Sequence, residues 1–284
     1  VSDDSRFPTG LLARALGVAR EEGIGPVTRK GTSYLCRRAM DTAGRRGLYQ
    51  SDRYLKALCL CNRRFRRYEA LANPFHILEV EPTALEYVTG RGPFPGDFKW
   101  ADIGTVVGGE WDRPTATVEE LPVVQALTER FEAGRAWEEI EFIRDVEQAA
   151  ERGIVRWRGC HNKADVRREC RAVDALYDSI CEHGYRRQRE LMTDDQRHKD
   201  ASGRFAPVDE VLVDISRNGE FRFVDGRHRL AIARILDLEA IPVRVSARHR
   251  RWQAVRERAV AKPETIPESA RTHPDLQALL TDQT

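Results

Sequence analysis

Asp225-Gly226-Arg227-His228-Arg229 sets a carboxylate, a glycine and three basic side chains in consecutive positions. At the start of a helix such a run suits an anion: oriented backbone N–H groups, the positive end of the helix dipole and added cations converge there. Phosphate is the natural ligand class. The plain alternative is a strand-to-helix turn that happens to be basic. A second run, Gly108-Gly109-Glu110-Trp111-Asp112, combines close backbone approach, a flat apolar ring and two carboxylates. Those carboxylates can hold Mg²⁺ or take a proton from an attacking hydroxyl, or the run is a turn anchored by its tryptophan. Glu79 and Glu81 are further candidates for a base, and Asp225 for a base or a metal ligand.

The elements that must position the first run are legible around it. Val211 to Ile215 is β-branched and strand-like, Arg217 to Glu220 reads as a hairpin turn, and Phe221 to Val224 returns as a second strand. After Asp225-Gly226 the apolar spacing becomes helical through Leu230, Ile232, Ala233, Ile235 and Leu236. Ile241, Val243 and Val245 form a further short strand around Pro242. Upstream, Val173, Leu176, Tyr177 and Ile180 share one helix face, with Gly184 placed to end that helix.

Val224 to Ala233 followed by Ile241-Pro242-Val243 resembles the signature of the ParB/sulfiredoxin superfamily. The segment Leu176 to Gly184, with Ser179-Ile180 and His183-Gly184, resembles a second motif of that superfamily, in the right order. Ile77 to Leu85 is similar to its opening strand, a weaker match. The resemblance covers residues 77 to about 250 and implies an α+β (mixed α/β) fold, a small mixed sheet with helices; apolar residues at helical spacing add a helical insertion over about 113–165 and a helical N-terminal region over 1–75. The segment 251–284 then opens with a charged helix, Trp252 to Val260, and Pro263, Pro267 and Pro274 break up the tail. By the same resemblance Gly226, Arg227, His228 and Arg229 hold the phosphates of ATP, ADP or CTP. It further implies Mg²⁺-dependent transfer of a phosphoryl group to a small hydroxyl-bearing acceptor. Asp225, Glu110, Asp112 and Glu79 are the catalytic candidates and Asp225 the metal ligand. Arg186, Arg187 and Arg189 are expected to line the cleft, and His183 to be structural. Arg227 stands where sulfiredoxins carry their reactive cysteine, which argues against sulfinic-acid reduction. Rival expectations are a ParB-like DNA or RNA binder with a nucleotide switch, and a ParB-like nuclease.

Composition frames these readings. The 284 residues carry 32% charged and 41% hydrophobic side chains, as a globular protein does, with a net charge of only +2. A nucleic-acid role must therefore rest on a local patch, and Arg37 to Arg67 offers one, with Phe65 and Tyr68 available to stack. A solvated helix face is the first reading of that patch. No apolar run approaches the ~20 residues that span a bilayer. The polar N-terminus does not read as a secretory signal, and six cysteines without a paired framework suit reduced thiols, so a cytoplasmic location is expected. Cys160-His161 lacks a second ligand pair at zinc spacing.

Overall fold

The computed structural model describes residues 68–70, 76–91, 104–113, 116–188, 190–191 and 210–281. The chain divides into two units, Val1–Lys56 and Ala57–Thr284, and every described residue belongs to the second. The Arg37 to Arg67 patch, and the helical N-terminal region apart from residues 68–70, lie outside the described residues.

The fold is α+β, as expected. Its sheet has six strands: β1 (Ile77–Val80), β2 (Tyr87–Val88), β3 (Thr105–Val107), β4 (Val211–Ile215), β5 (Phe221–Asp225) and β6 (Ile241–His249). Their order is β1-β6-β4-β5-β2, with β3 also paired to β6. β6 is the organising strand. Its first half pairs antiparallel with β1, its last three residues pair parallel with β3, and β4 runs parallel along its other edge. The sequence pattern marks only Ile241 to Val245 because the strand's continuation, Ser246 to His249, is polar. Those polar residues are buried all the same.

Strand periodicity explains the two faces. Val211, Val213 and Ile215 lie level with Val243, Val245, Phe223 and Phe221. Beside this apolar face gather helices α1 (Pro122–Phe131), α2 (Glu141–Glu151), α3 (Lys163–His183) and α4 (Arg227–Ile235), of which α4 contacts β4, α1 and α3 pack on α4, and α2 packs on α1 and α3. Helix α4 sits against β4, α1 and α3, with Leu230, Ala231, Ile232 and Ala233 buried. The stretch expected as an insertion thus supplies part of the core, through Val123, Leu127, Ile140, Ile143 and Val146. The other face is polar and buried. Asp214 lies opposite Arg222 there and accepts four hydrogen bonds, from Thr89 Oγ1 (2.6 Å), Arg91 Nε (2.7 Å), Arg91 Nη2 (2.8 Å) and the Ala247 N–H (2.9 Å). Complete burial pushes the Asp214 carboxyl upward, and the four donors oppose that push.

The prolines divide the C-terminal tail into short helical pieces. Helix α5 (Arg250–Ala261) is followed by a 3₁₀ turn (Pro263–Thr265), α6 (Glu268–Arg271) and α7 (Pro274–Thr281). Each proline stands at a helix start, where its missing N–H costs nothing. Asp275 in the first turn of α7 is buried between Arg248 and Arg256. Its carboxylate accepts from Arg248 Nε (3.0 Å) and Trp252 Nε1 (2.9 Å) and pairs with Arg256 Nη1 at 2.8 Å, while Arg256 Nη1 donates to the Asp275 backbone carbonyl at 2.6 Å. Burial alone would raise its pKa; the two guanidiniums outweigh that and hold it well below the usual range.

Candidate functional site

The turn between β5 and α4 takes the expected shape. Gly226 caps α4 in the left-handed region, at φ 98° and ψ 28°. A Cβ there would sit 3.0 Å from both Cα and Cγ2 of Val211, so the turn is pressed against β4. Glycine is thus required twice, for the dihedral and for the close approach. The helix begins with the Leu230 N–H donating to the Gly226 carbonyl at 3.0 Å. The first N–H groups of any α-helix lie outside its internal ladder, and Gly226 brings no side-chain oxygen to cap them.

Around this turn the side chains sort into cations and carboxylates. Arg227 is exposed, while the Arg229 side chain is only 11% exposed. Arg229 Nη1 lies 3.7 Å from Glu210 Oε2, and Glu210 Oε1 accepts from the Gln188 N–H at 2.7 Å. Next to Gln188, Arg187 Nη2 donates to Glu79 Oε1 at 2.7 Å, with both side chains about half exposed. Register explains the gathering. Val211 pairs with Val243, and Glu79 pairs with Pro242, so Glu79, Glu210 and the β5–α4 turn share one end of the sheet.

His228 departs from its expected part. It is buried, and its Nε2 accepts a hydrogen bond from Trp157 Nε1 at 3.2 Å. The two rings lie 5.9 Å apart, inclined by 30°. Burial pushes the imidazole down to about 3; Arg158, Arg227 and Arg229 push the same way and Asp225 opposes them. His228 is therefore neutral at physiological pH, with its proton on Nδ1, and it cannot supply the cationic charge expected of it.

Glu110 and Asp112 are corrected by location. Their loop follows β3 and is clamped by Arg217 in the β4–β5 hairpin, at the opposite end of the five-residue strands, about 13 Å away. Asp112 accepts from the Arg217 N–H (2.8 Å), Nε (2.8 Å) and Nη2 (2.6 Å), and Arg217 Nη2 also reaches Glu110 at 2.9 Å. Burial works against ionisation of Asp112, but the Arg217 hydrogen bonds prevail and hold its pKa well below the usual range. His249 Nε2 contacts the Gly109 carbonyl at 3.0 Å, and the Trp111 and His249 rings lie 5.8 Å apart. Asp112 is a structural anchor, and neither carboxylate reaches the β5–α4 turn.

Glu210 and Trp157 carried no motif signal. Glu210 follows Asp209 just before β4, outside any motif, and Trp157 sits in an irregular loop between α2 and α3. Only the register of β4 and the fold of that loop bring them to α4. Cys160 and Cys170 are buried free thiols, and burial is the main cause raising Cys160 and pushing Cys170 up to about 12. Among the described residues no three His, Cys, Asp or Glu side chains converge as a metal cage. No helix of the described residues is long and apolar enough to cross a membrane. Comparison with known proteins gives no match to a family model, a curated protein or a solved structure.

Proposed function

We propose that the β5–α4 turn binds the phosphates of a nucleoside di- or triphosphate, and that the protein transfers a phosphoryl group to a small hydroxyl-bearing acceptor. The observation that carries this reading is the glycine-capped start of α4, pressed against β4, with Arg227 and Arg229 in its first turn. Backbone N–H groups from Gly226 onward would cradle phosphate oxygens, and Arg227 and Arg229 would offset their charge. Neutral His228 would act by shape and through its Nδ1–H. In the transfer the bond from the terminal phosphorus to its bridging oxygen breaks, and a bond to the acceptor oxygen forms. The acceptor's proton passes to a carboxylate. Asp225, at the turn, and Glu79, at the same end of the sheet, are the two candidates retained for that base. Asp225 is also the residue that would hold Mg²⁺. Such an ion takes one or two carboxylates and completes its shell with phosphate and water, a demand that Asp225 and the bound nucleotide could meet.

A thermal-shift screen of the protein with ATP, ADP and CTP, each with Mg²⁺, tests this. A nucleotide at a hundredfold excess over its Kd stabilises the native state by about 2.7 kcal/mol, several degrees in Tm. Arg229→Ala should abolish the shift. Shifts absent for all three nucleotides, or unchanged in Arg229→Ala, would contradict the proposal.

A further inference from the structure

Glu210 has no part in the phosphate-site motif, yet its two carboxylate oxygens face two different elements. Oε1 holds the backbone N–H of Gln188 at 2.7 Å, in the segment that follows α3. Oε2 faces the guanidinium of Arg229 at 3.7 Å, in the first turn of α4. The Glu210 side chain is 3% exposed and the Arg229 side chain 11%. A charge this deeply buried is retained only where something compensates it.

We propose that Glu210 is a positioning residue for the anion site. It holds Arg229 at the start of α4, and through Gln188 it fixes the segment that carries Arg187 beside that turn. This rests on the anion-site reading above. An arginine side chain loses roughly 2 kcal/mol of rotamer freedom when it is fixed, so holding it in place before the ligand arrives leaves more of its interaction for binding. Arg187 is the second cation so placed. It is half exposed on Glu79, a surface pair of small net strength, and is therefore able to turn toward an anion at the mouth of the site. A carboxylate near an anion also repels it. Glu210 lies against Arg229, so the guanidinium's attraction on the ligand dominates, and this balance is what the test reads.

Two substitutions separate the two contacts. Glu210→Gln keeps an oxygen for the Gln188 N–H and removes the charge that holds Arg229. Glu210→Ala removes both. Binding of ADP with Mg²⁺ to the full chain is measured by calorimetry, and amide hydrogen exchange over 184–191 is measured without ligand. Expected for Glu210→Gln is a Kd raised about five- to tenfold, the loss of roughly 1 kcal/mol, with the Gln188 amide exchange unchanged. Glu210→Ala should show the same loss of affinity together with Gln188 exchange accelerated about tenfold or more. Affinity equal to or above the native value in Glu210→Gln overturns the proposal, as does unaltered Gln188 exchange in Glu210→Ala. Should the alanine variant fail to fold, the glutamine variant still decides. Native protein that binds no ADP, ATP or CTP would defeat the anion-site reading itself, and the exchange experiment would then judge the Gln188 tether separately.

Discussion

Two neighbours in the β5–α4 turn act through different physics. Gly226 is required by its backbone: at φ 98°, with Val211 atoms 3.0 Å from any added Cβ, even alanine must strain or displace β4. Gly226→Ala should cost about 1–3 kcal/mol, read as a lower denaturant midpoint, and should also weaken nucleotide binding. His228 is instead governed by burial. Its imidazole is pushed down to about 3, below the ordinary value of 6.5. Between those values the unfolded chain binds a proton that the folded chain refuses, so stability falls as pH drops through that window. The contribution is on the order of 4 kcal/mol at its lower end. In NMR the His228 ring signals should show no titration between pH 5 and 8. A midpoint near 6.5 would mean the ring is solvated and the hydrogen bond from Trp157 absent.

At the scale of elements, the two ends of the β4–β5 hairpin have separate duties. The far end is the Arg217–Asp112 clamp, with Arg217 hydrogen-bonded to Asp112 through its backbone N–H, Nε and Nη2. Asp112→Ala should lower stability by about 1–3 kcal/mol, since Arg217 then loses the carboxylate that accepts three of its hydrogen bonds in a largely exposed loop. It should leave nucleotide affinity unchanged; a Kd raised as far as in Arg229→Ala would return Asp112 to the site. This division shows what the sequence made legible. Strands β4 and β5, the Gly226 turn and α4 could be read because alternation, a turn glycine and helical spacing are local signals. The Gly-Gly-Glu-Trp-Asp loop looked functional because glycines and acids serve a structural turn as readily as a metal site. Only the pairing of β3 with the end of β6 shows which end of the sheet it occupies. Glu210 and Trp157 were not legible, because their partners lie 19 or more residues away along the chain.

At the scale of the whole molecule, the described C-terminal helices join the core of the second unit. Asp275 lies between Arg248 and Arg256, fully buried, and Leu276 and Leu279 of α7 join the core. Asp275→Ala would leave two guanidiniums buried without their counter-charge and should cost about 3–5 kcal/mol, seen in thermal unfolding. Asp275 and Asp112 both have depressed carboxyl pKa values, so each contributes stability above the ordinary carboxylate range that is lost as pH falls toward the folded value. With His228 they make acid the weak side of the stability profile. The central claim concerns a few peptide groups within this frame, and amide NMR addresses it most directly. On titration of the ¹⁵N-labelled protein with ADP and Mg²⁺, the N–H signals of Gly226, Arg227, His228 and Arg229 should move first and furthest, and Arg229→Ala should suppress the change. Signals that stay in place there while ADP binds elsewhere, or does not bind, would contradict the account.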